Sequence, residues 1–151
     1  VETFSERVYP GGLTYSGHPL ACAAAVATIT TMAEDGIIEN AKAIGEQVLR
    51  PGLEHLAAHH PVIGEVRGTG VFFALDLVKD RATKEELAPY GGTSEAMGAL
   101  GAAMKAEGLF PFMNYHRLHV VPPCTISAEE ATEAISRLDR ALKAIDSYYE
   151  G

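Results

Sequence analysis

Residues 11–29 read GGLTYSGHPLACAAAVATI: a glycine- and hydroxyl-rich loop that ends at Pro19 and passes directly into an almost purely apolar run. Pro19 suits a first helical position, where its missing N–H has no intrahelical partner to lose. Gly11, Gly12 and Gly17 permit tight turns and close approach of backbone to a bound group. Thr14 and Ser16 add hydroxyls, and the start of the following helix favours negative charge. Two readings fit these residues: a loop that holds a phosphate or another anion, and a cap on a buried helix.

Outward from this segment, a chain of 151 residues is long enough to bury a core, and 47% hydrophobic residues argue against disorder. The net charge of −8, from 20 acidic and 12 basic residues without a Lys/Arg cluster, disfavours a nucleic-acid surface and attraction to an anionic membrane. The apolar run over 20–33 is too short and too rich in threonine to span a bilayer. Cys22 and Cys124 make no disulfide framework and have no metal-ligand spacing. Cys22, among alanines, is expected in the core, and this cysteine usage suits a reducing, cytoplasmic compartment. The histidines His55, His59, His60, His116 and His119 form no metal motif, and no metal is expected.

Hydrophobic periodicity orders the elements. Residues 1–18 read as an entering loop, with Val8 and Tyr9 the end of a short strand. A helix follows over 19–34, closed by Gly36. A long helix over 37–58 carries the stripe Ile37, Ala41, Ile44, Val48, Leu53 and Leu56, with a kink or restart at Pro51. Strands over 62–67 and 71–78 form an antiparallel pair about Gly68-Thr69-Gly70. In the second, Phe73, Leu75 and Leu77 alternate with Phe72, Ala74 and Asp76. Residues 79–92 read as a charged surface loop with one helical turn. Thr93 or Ser94 caps a helix through Glu107 that Gly108 ends, with Met97, Leu100 and Met104 on one face. Strands over 109–112 and 118–121 flank Asn114-Tyr115-His116. Ser127 and Glu130 make a capping box for a last helix striped by Ala131, Ile135, Leu138, Leu142 and Ile145. The pattern is an α/β or α+β unit of helices packed on a sheet.

Four places carry candidate chemistry. The hydroxyl and backbone N–H of Thr14 can both donate to phosphate oxygens, or serve a turn. Arg67 either pairs with a carboxylate or anchors a strand end. Arg117 and His119 share one face of a strand that begins at Arg117, and an arginine fork suits a planar carboxylate; a structural ion pair is the alternative. Phe110, Phe112 and Tyr115 either line an aromatic pocket or pack as core.

Three ordered segments resemble the class III, omega-transaminase group of fold-type I pyridoxal-phosphate-dependent aminotransferases: Leu13-Thr14-Tyr15-Ser16-Gly17-His18-Pro19, Val66-Arg67-Gly68-Thr69-Gly70-Val71-Phe72, and Val120-Val121-Pro122-Pro123. The resemblance implies the C-terminal portion of such an enzyme. Residues 1–36 would then end the large cofactor-binding domain, with a phosphate loop and a buried helix. Residues 37–60 would form a long interdomain helix and 61–151 a small α+β domain. Thr14, flanked by Leu13, would bind the phosphate of pyridoxal 5'-phosphate across a homodimer interface. The Schiff-base lysine would lie upstream, so no catalytic residue falls within this chain. The reaction implied is transfer of an amino group from an amine or amino acid to a 2-oxo acid such as pyruvate. A lyase or aminomutase on the same scaffold is one alternative, and a non-enzymatic small-molecule-binding or dimerisation module is another. The sequence departs from the family where a carboxylate-binding arginine is expected, with Phe112 at one such place and His119 at another. Arg117 is a displaced substitute, which makes Arg117, Phe112 and His119 the substrate-binding candidates.

Overall fold

The computed structural model describes residues 2–9, 11–12, 14–110 and 112–151. It divides into two compact units, Val1–Gly36 and Ile37–Gly151. In the first, a four-residue helix α1 (Thr3–Glu6) precedes helix α2 (Pro19–Glu34), which has Pro19 in its opening turn and ends before Gly36 at φ +61°. Val8 and Tyr9 form no strand. The expected burial of α2 is not met in this chain: Met32 is half-buried, and every other residue of the helix, Cys22 included, is exposed. Burial requires a facing apolar surface, and a unit of this size offers none.

The second unit opens with α3 (Ile37–Ile44), widens into a π turn over Gly45–Leu49 and restarts as α4 (Arg50–His59). Pro51 explains the break, because its ring crowds the carbonyl four residues back and it has no N–H to donate. A five-stranded antiparallel sheet follows. Its strands are β1 (Ile63–Thr69), β2 (Phe72–Asp80), β3 (Glu85–Glu86), β4 (Phe112–Asn114) and β5 (Arg117–Val120). The path runs β1-β2-β5-β4, with β3 paired to the far end of β2. Helices α5 (Glu95–Ala106) and α6 (Ala128–Leu142) complete the unit.

Several sequence boundaries move. Gly68 and Thr69 belong to β1, leaving Gly70-Val71 as a two-residue hairpin loop with Gly70 at φ +52°. Part of the expected loop after residue 78 is strand: β2 extends to Asp80, β3 pairs back on it, and the following Leu87 and Ala88 are buried. The last hairpin is shifted, with Tyr115-His116 as its loop and Tyr115 in the left-handed region at φ 58°.

The inner sheet face and the helices form one core. Phe73, Leu75, Leu77 and Leu118 are fully buried with Leu53, Leu100 and Leu142. Two glycines permit the closest approaches. A Cβ on Gly45 would lie 2.0 Å from the Gly70 carbonyl oxygen, and one on Gly52 would lie 2.3 Å from the Ile135 side chain. Ser127 and Glu130 form the expected capping box on α6. Helix α5 has its Ser94 cap and ends in a Schellman motif: Leu109 donates to the Met104 carbonyl and Gly108 to that of Lys105. Arg137 donates to the Glu107 carbonyl and Arg140 to its carboxylate, fastening α6 to that end of α5. His60, buried, lies 2.8 Å from Asp146 and 3.1 Å from Asp139. Arg81 donates to the carbonyls of Ala57, His60 and Ile63, closing the end of α4 and the start of β1.

Gly45→Ala is expected to destabilise by about 1–3 kcal/mol, because its neighbour is backbone that cannot swing aside. Gly98, with open space about its Cβ position, tolerates alanine and gains up to about 1 kcal/mol of helix propensity. Thermal unfolding of the two variants checks the pair; equal midpoints would contradict the close approach.

Three carboxyls that hold α6 also set a pH dependence. Hydrogen bonds from the Ser127 backbone to Glu130, from Arg140 to Glu107 and from His60 to Asp139 hold all three below their ordinary values. A folded-state value lowered in this way contributes stability above the unfolded carboxyl range, and that stability is lost as pH falls through the folded value. Hydrogen-exchange protection of α6 amides, corrected for intrinsic rates, is therefore expected to fall as pH drops below about 4.5. Protection that stays flat there would refute the assignment.

Candidate functional site

In the first unit, Thr14–Gly17 form a turn in which His18 N–H donates to the Tyr15 carbonyl at 3.1 Å and Gly17 takes φ +72°. The Tyr15 and His18 rings stack with centroids 4.9 Å apart. Nδ1 of His18 accepts from the Ala21 N–H at 3.4 Å and its carbonyl from the Cys22 N–H at 2.9 Å, a structural cap that, with Pro19 lacking an N–H, leaves Leu20 as the first-turn amide without an intrahelical partner. Thr14 is exposed at the head of this turn. An open hydroxyl beside a left-handed glycine and a helix start has the donor chemistry that a phosphate group needs. Leu13 lies outside the described residues.

In the second unit, the face of the sheet turned away from the helices carries the other candidates. Cross-strand register sets them in rows: Glu65 opposite Asp76 opposite Arg117 opposite Asn114, and Arg67 opposite Ala74 opposite His119 opposite Phe112. Phe112 and His119 rings are 4.9 Å apart, and Phe72 approaches His119 edge-on at 6.4 Å. Nδ1 of His119 is buried without a hydrogen-bond partner among the described residues. The structure therefore brings Arg117, His119 and Phe112 onto one surface. The aromatics are not core: Phe110 is 91% and Phe112 58% exposed. Tyr115 instead lies against Tyr90, ring centroids 4.9 Å apart.

Arg117 is not isolated. Its Nε lies 3.3 Å from Asp76 Oδ1, too poorly aligned for a hydrogen bond. Asp76 Oδ2 accepts from Arg67 Nη2 at 2.5 Å, so Arg67 takes the carboxylate partner that was one of its two expected roles. His116 Nε2 lies 3.6 Å from the same carboxylate, and His116 Nδ1 lies 3.4 Å from Glu86. Glu65, Arg67, Asp76, Glu86, His116 and Arg117 line a groove of about 520 Å³. Asp76 is the residue that sequence reasoning missed. Alternation set it on the outer face, but only the β2–β5 register sets it beside Arg117. Asn40 was missed as well: its side-chain amide donates to the carbonyls of Cys124 and Ile126, tying the segment after Pro122-Pro123 to α3. Among the described residues no group of histidine, cysteine, aspartate or glutamate has metal-site geometry.

Known proteins resemble this chain in sequence and fold. Residues 3–142 match the family of class-III aminotransferases. The taurine–pyruvate aminotransferase of Bilophila wadsworthia is 32% identical over 142 residues, covering 90% of this chain and 30% of that protein. An ethanolamine-phosphate phospho-lyase homolog of Caenorhabditis elegans is 31% identical over 134 residues, 85% of this chain and 27% of its own length. The crystal structure of the taurine:2-oxoglutarate aminotransferase of Bifidobacterium kashiwanohense, in complex with PLP and glutamate, superposes with a TM-score of 0.85 at 34% identity. That match covers 99% of this chain and 33% of that one. The chain thus spans about a third of the length of the relatives it matches, and its antiparallel sheet with helices is the C-terminal portion of their α/β fold. With the Thr14 turn and the outer sheet face both inside the matched span, the chain belongs to the class-III aminotransferase family.

Proposed function

We propose that this chain is the C-terminal part of a pyridoxal-phosphate-dependent aminotransferase that moves an amino group from an amine or amino acid to a 2-oxo acid. The observation that carries the reading is the family match over residues 3–142, which includes both candidate surfaces. In this proposal the cofactor-binding lysine is supplied by an upstream part of the same enzyme, and the working assembly is a homodimer. When bound, the cofactor supplies the electrophilic carbonyl and the electron sink for amino-group exchange. The chain's own residues bind and orient. The Thr14 hydroxyl donates to a phosphate oxygen of the neighbouring subunit's cofactor, with Leu13 beside it, and the start of α2 adds its favourable dipole. Arg117 receives the substrate carboxylate, while Phe112 and His119 offer an aromatic wall to the rest of the substrate. Relatives named for taurine and for 4-aminobutyrate act on amines that carry an anionic group, which suits an arginine on this face. The phospho-lyase homolog among the relatives supports a second reading, a lyase on the same scaffold. Turnover without any oxo-acid acceptor distinguishes it.

Thr14→Ala is expected to weaken cofactor binding by about 1–3 kcal/mol, the scale for a lost hydrogen bond to a charged group. Cofactor dissociation and oligomer mass, measured together on the full-length protein, check this; unchanged affinity or a fully active monomer would refute the role. Arg117→Ala is expected to lower kcat/KM for pyruvate by roughly 10- to 100-fold, with little change for a carboxylate-free aldehyde. Equal losses on both acceptors would assign Arg117 to the fold, and no loss on either would leave it a surface ion pair.

A further inference from the structure

Asp76 stands at the centre of the outer sheet face, on the strand between Arg67 and Arg117. Its side chain is 17% exposed, against 51% for Arg67 and 38% for Arg117. One carboxylate is thus sunk between two more exposed guanidinium groups. The two contacts differ in kind. Arg67 makes a short hydrogen bond to Oδ2, whereas Arg117 presents only Nε to Oδ1, at 3.3 Å and without hydrogen-bond alignment. Among the described residues, neither terminal nitrogen of Arg117 makes a hydrogen bond to a side chain or a carbonyl. A guanidinium has two donor edges, and a contact at Nε leaves the Nη1/Nη2 edge available for a planar carboxylate.

We propose that Asp76 is a positioning residue that sets the orientation of Arg117 and, through it, the enzyme's preference for acceptors that carry a carboxylate. The proposal rests on the reading of Arg117 as the carboxylate receptor. Arg67 fixes Asp76, Asp76 holds Nε of Arg117, and the terminal edge of Arg117 meets the substrate. Charge keeps the device open. A single carboxylate shared by two guanidinium groups neutralises neither completely, so Arg117 keeps attraction for an incoming anion. The same groove is also lined by Glu65, 4.0 Å from Arg67, by Glu86, beside His116, by His116 itself, 3.6 Å from Asp76, and by Arg81 and Lys84; among the described residues none of these forms an ion pair with Arg117.

The test is made on the full-length, cofactor-loaded enzyme with pyruvate and butanal as acceptors. Asp76→Asn is expected to lower the pyruvate-to-butanal ratio of kcat/KM at least about fivefold, through KM for pyruvate, with kcat on butanal unchanged. In an Arg117→Ala background the same substitution is expected to leave the ratio where Arg117→Ala alone puts it, because the two residues act in series. A folded Asp76→Asn enzyme with an unchanged ratio, or with equal losses on both acceptors, overturns the proposal. If Arg117→Ala shifts the ratio and Asp76→Asn does not, only the role of Asp76 fails. If Arg117→Ala does not shift it, the carboxylate-receptor reading fails first and the role of Asp76 with it. Should Asp76→Asn not fold, Asp76→Glu replaces it, keeping the charge on a longer arm; a ratio lowered at least about twofold supports the proposal and an unchanged one overturns it.

Discussion

Strand β2 cannot slip by one residue without exchanging Phe73, Leu75 and Leu77 for Phe72, Ala74 and Asp76. The first three are fully buried, so a slip would put a carboxylate in the core and three large apolar side chains in water. This constraint fixes both faces of the sheet at once. On the inner side it selects the surface that α4, α5 and α6 cover. On the outer side it fixes which residues of β1 and β5 stand beside Asp76, and so which charges meet. The close approach of Gly45 to the Gly70 carbonyl holds the β1–β2 loop against the helical layer and leaves little freedom in that register.

The features legible in the sequence were those whose causes are local. The capping box at Ser127 and Glu130, the Ser94 cap, the restart at Pro51 and the alternation along β2 each depend on residues a few positions apart. The misses share a different origin. Nothing near Asp76 in sequence announces Arg117, because the pair is made by strand register across 41 positions, from 76 to 117. The short β3 strand follows from pairing with β2, and its own residues, Glu85 and Glu86, have poor strand propensity. Tyr115 in the left-handed region likewise owes its conformation to the hairpin it closes, where a local reading gives only a polar break between strands. The candidate site was thus legible by residue type at Arg117, His119 and Phe112 and in the face that Arg117 and His119 share, and illegible in the cross-strand partners that surround them.

Helix α2 shows where periodicity carries little information. A run of alanines, threonines and branched apolar residues has no polar side, so its sequence declares an apolar environment without saying which face meets it. The chain leaves Leu20, Val26 and Ile29 more than half exposed. Exposed apolar area of this extent on one helix marks a surface that other atoms cover. The chain spans about a third of its relatives' length, and in the enzyme proposed above the upstream part would supply those atoms. The Thr14 turn opens this helix, so cover of α2 and placement of the hydroxyl are mechanically linked: motion of α2 moves its first turn and the residue that would meet phosphate.

An arginine that binds a substrate carboxylate faces two opposed requirements. Left alone on a surface, its long side chain loses about 2 kcal/mol of rotamer freedom on binding. Paired fully with an internal carboxylate, it has no charge left to offer. The Arg67–Asp76–Arg117 cluster meets both requirements, because the stronger contact goes to Arg67 and the weaker, misaligned one restrains Arg117 at a single nitrogen. At an effective dielectric of about 20, a charge pair at this range retains on the order of 4 kcal/mol of attraction before solvent screening, enough to bias a rotamer without consuming the group. The aromatic neighbours Phe112 and His119 stand one row away on the same face. Under the role proposed for Arg117, a ligand held there by its carboxylate would extend over these rings.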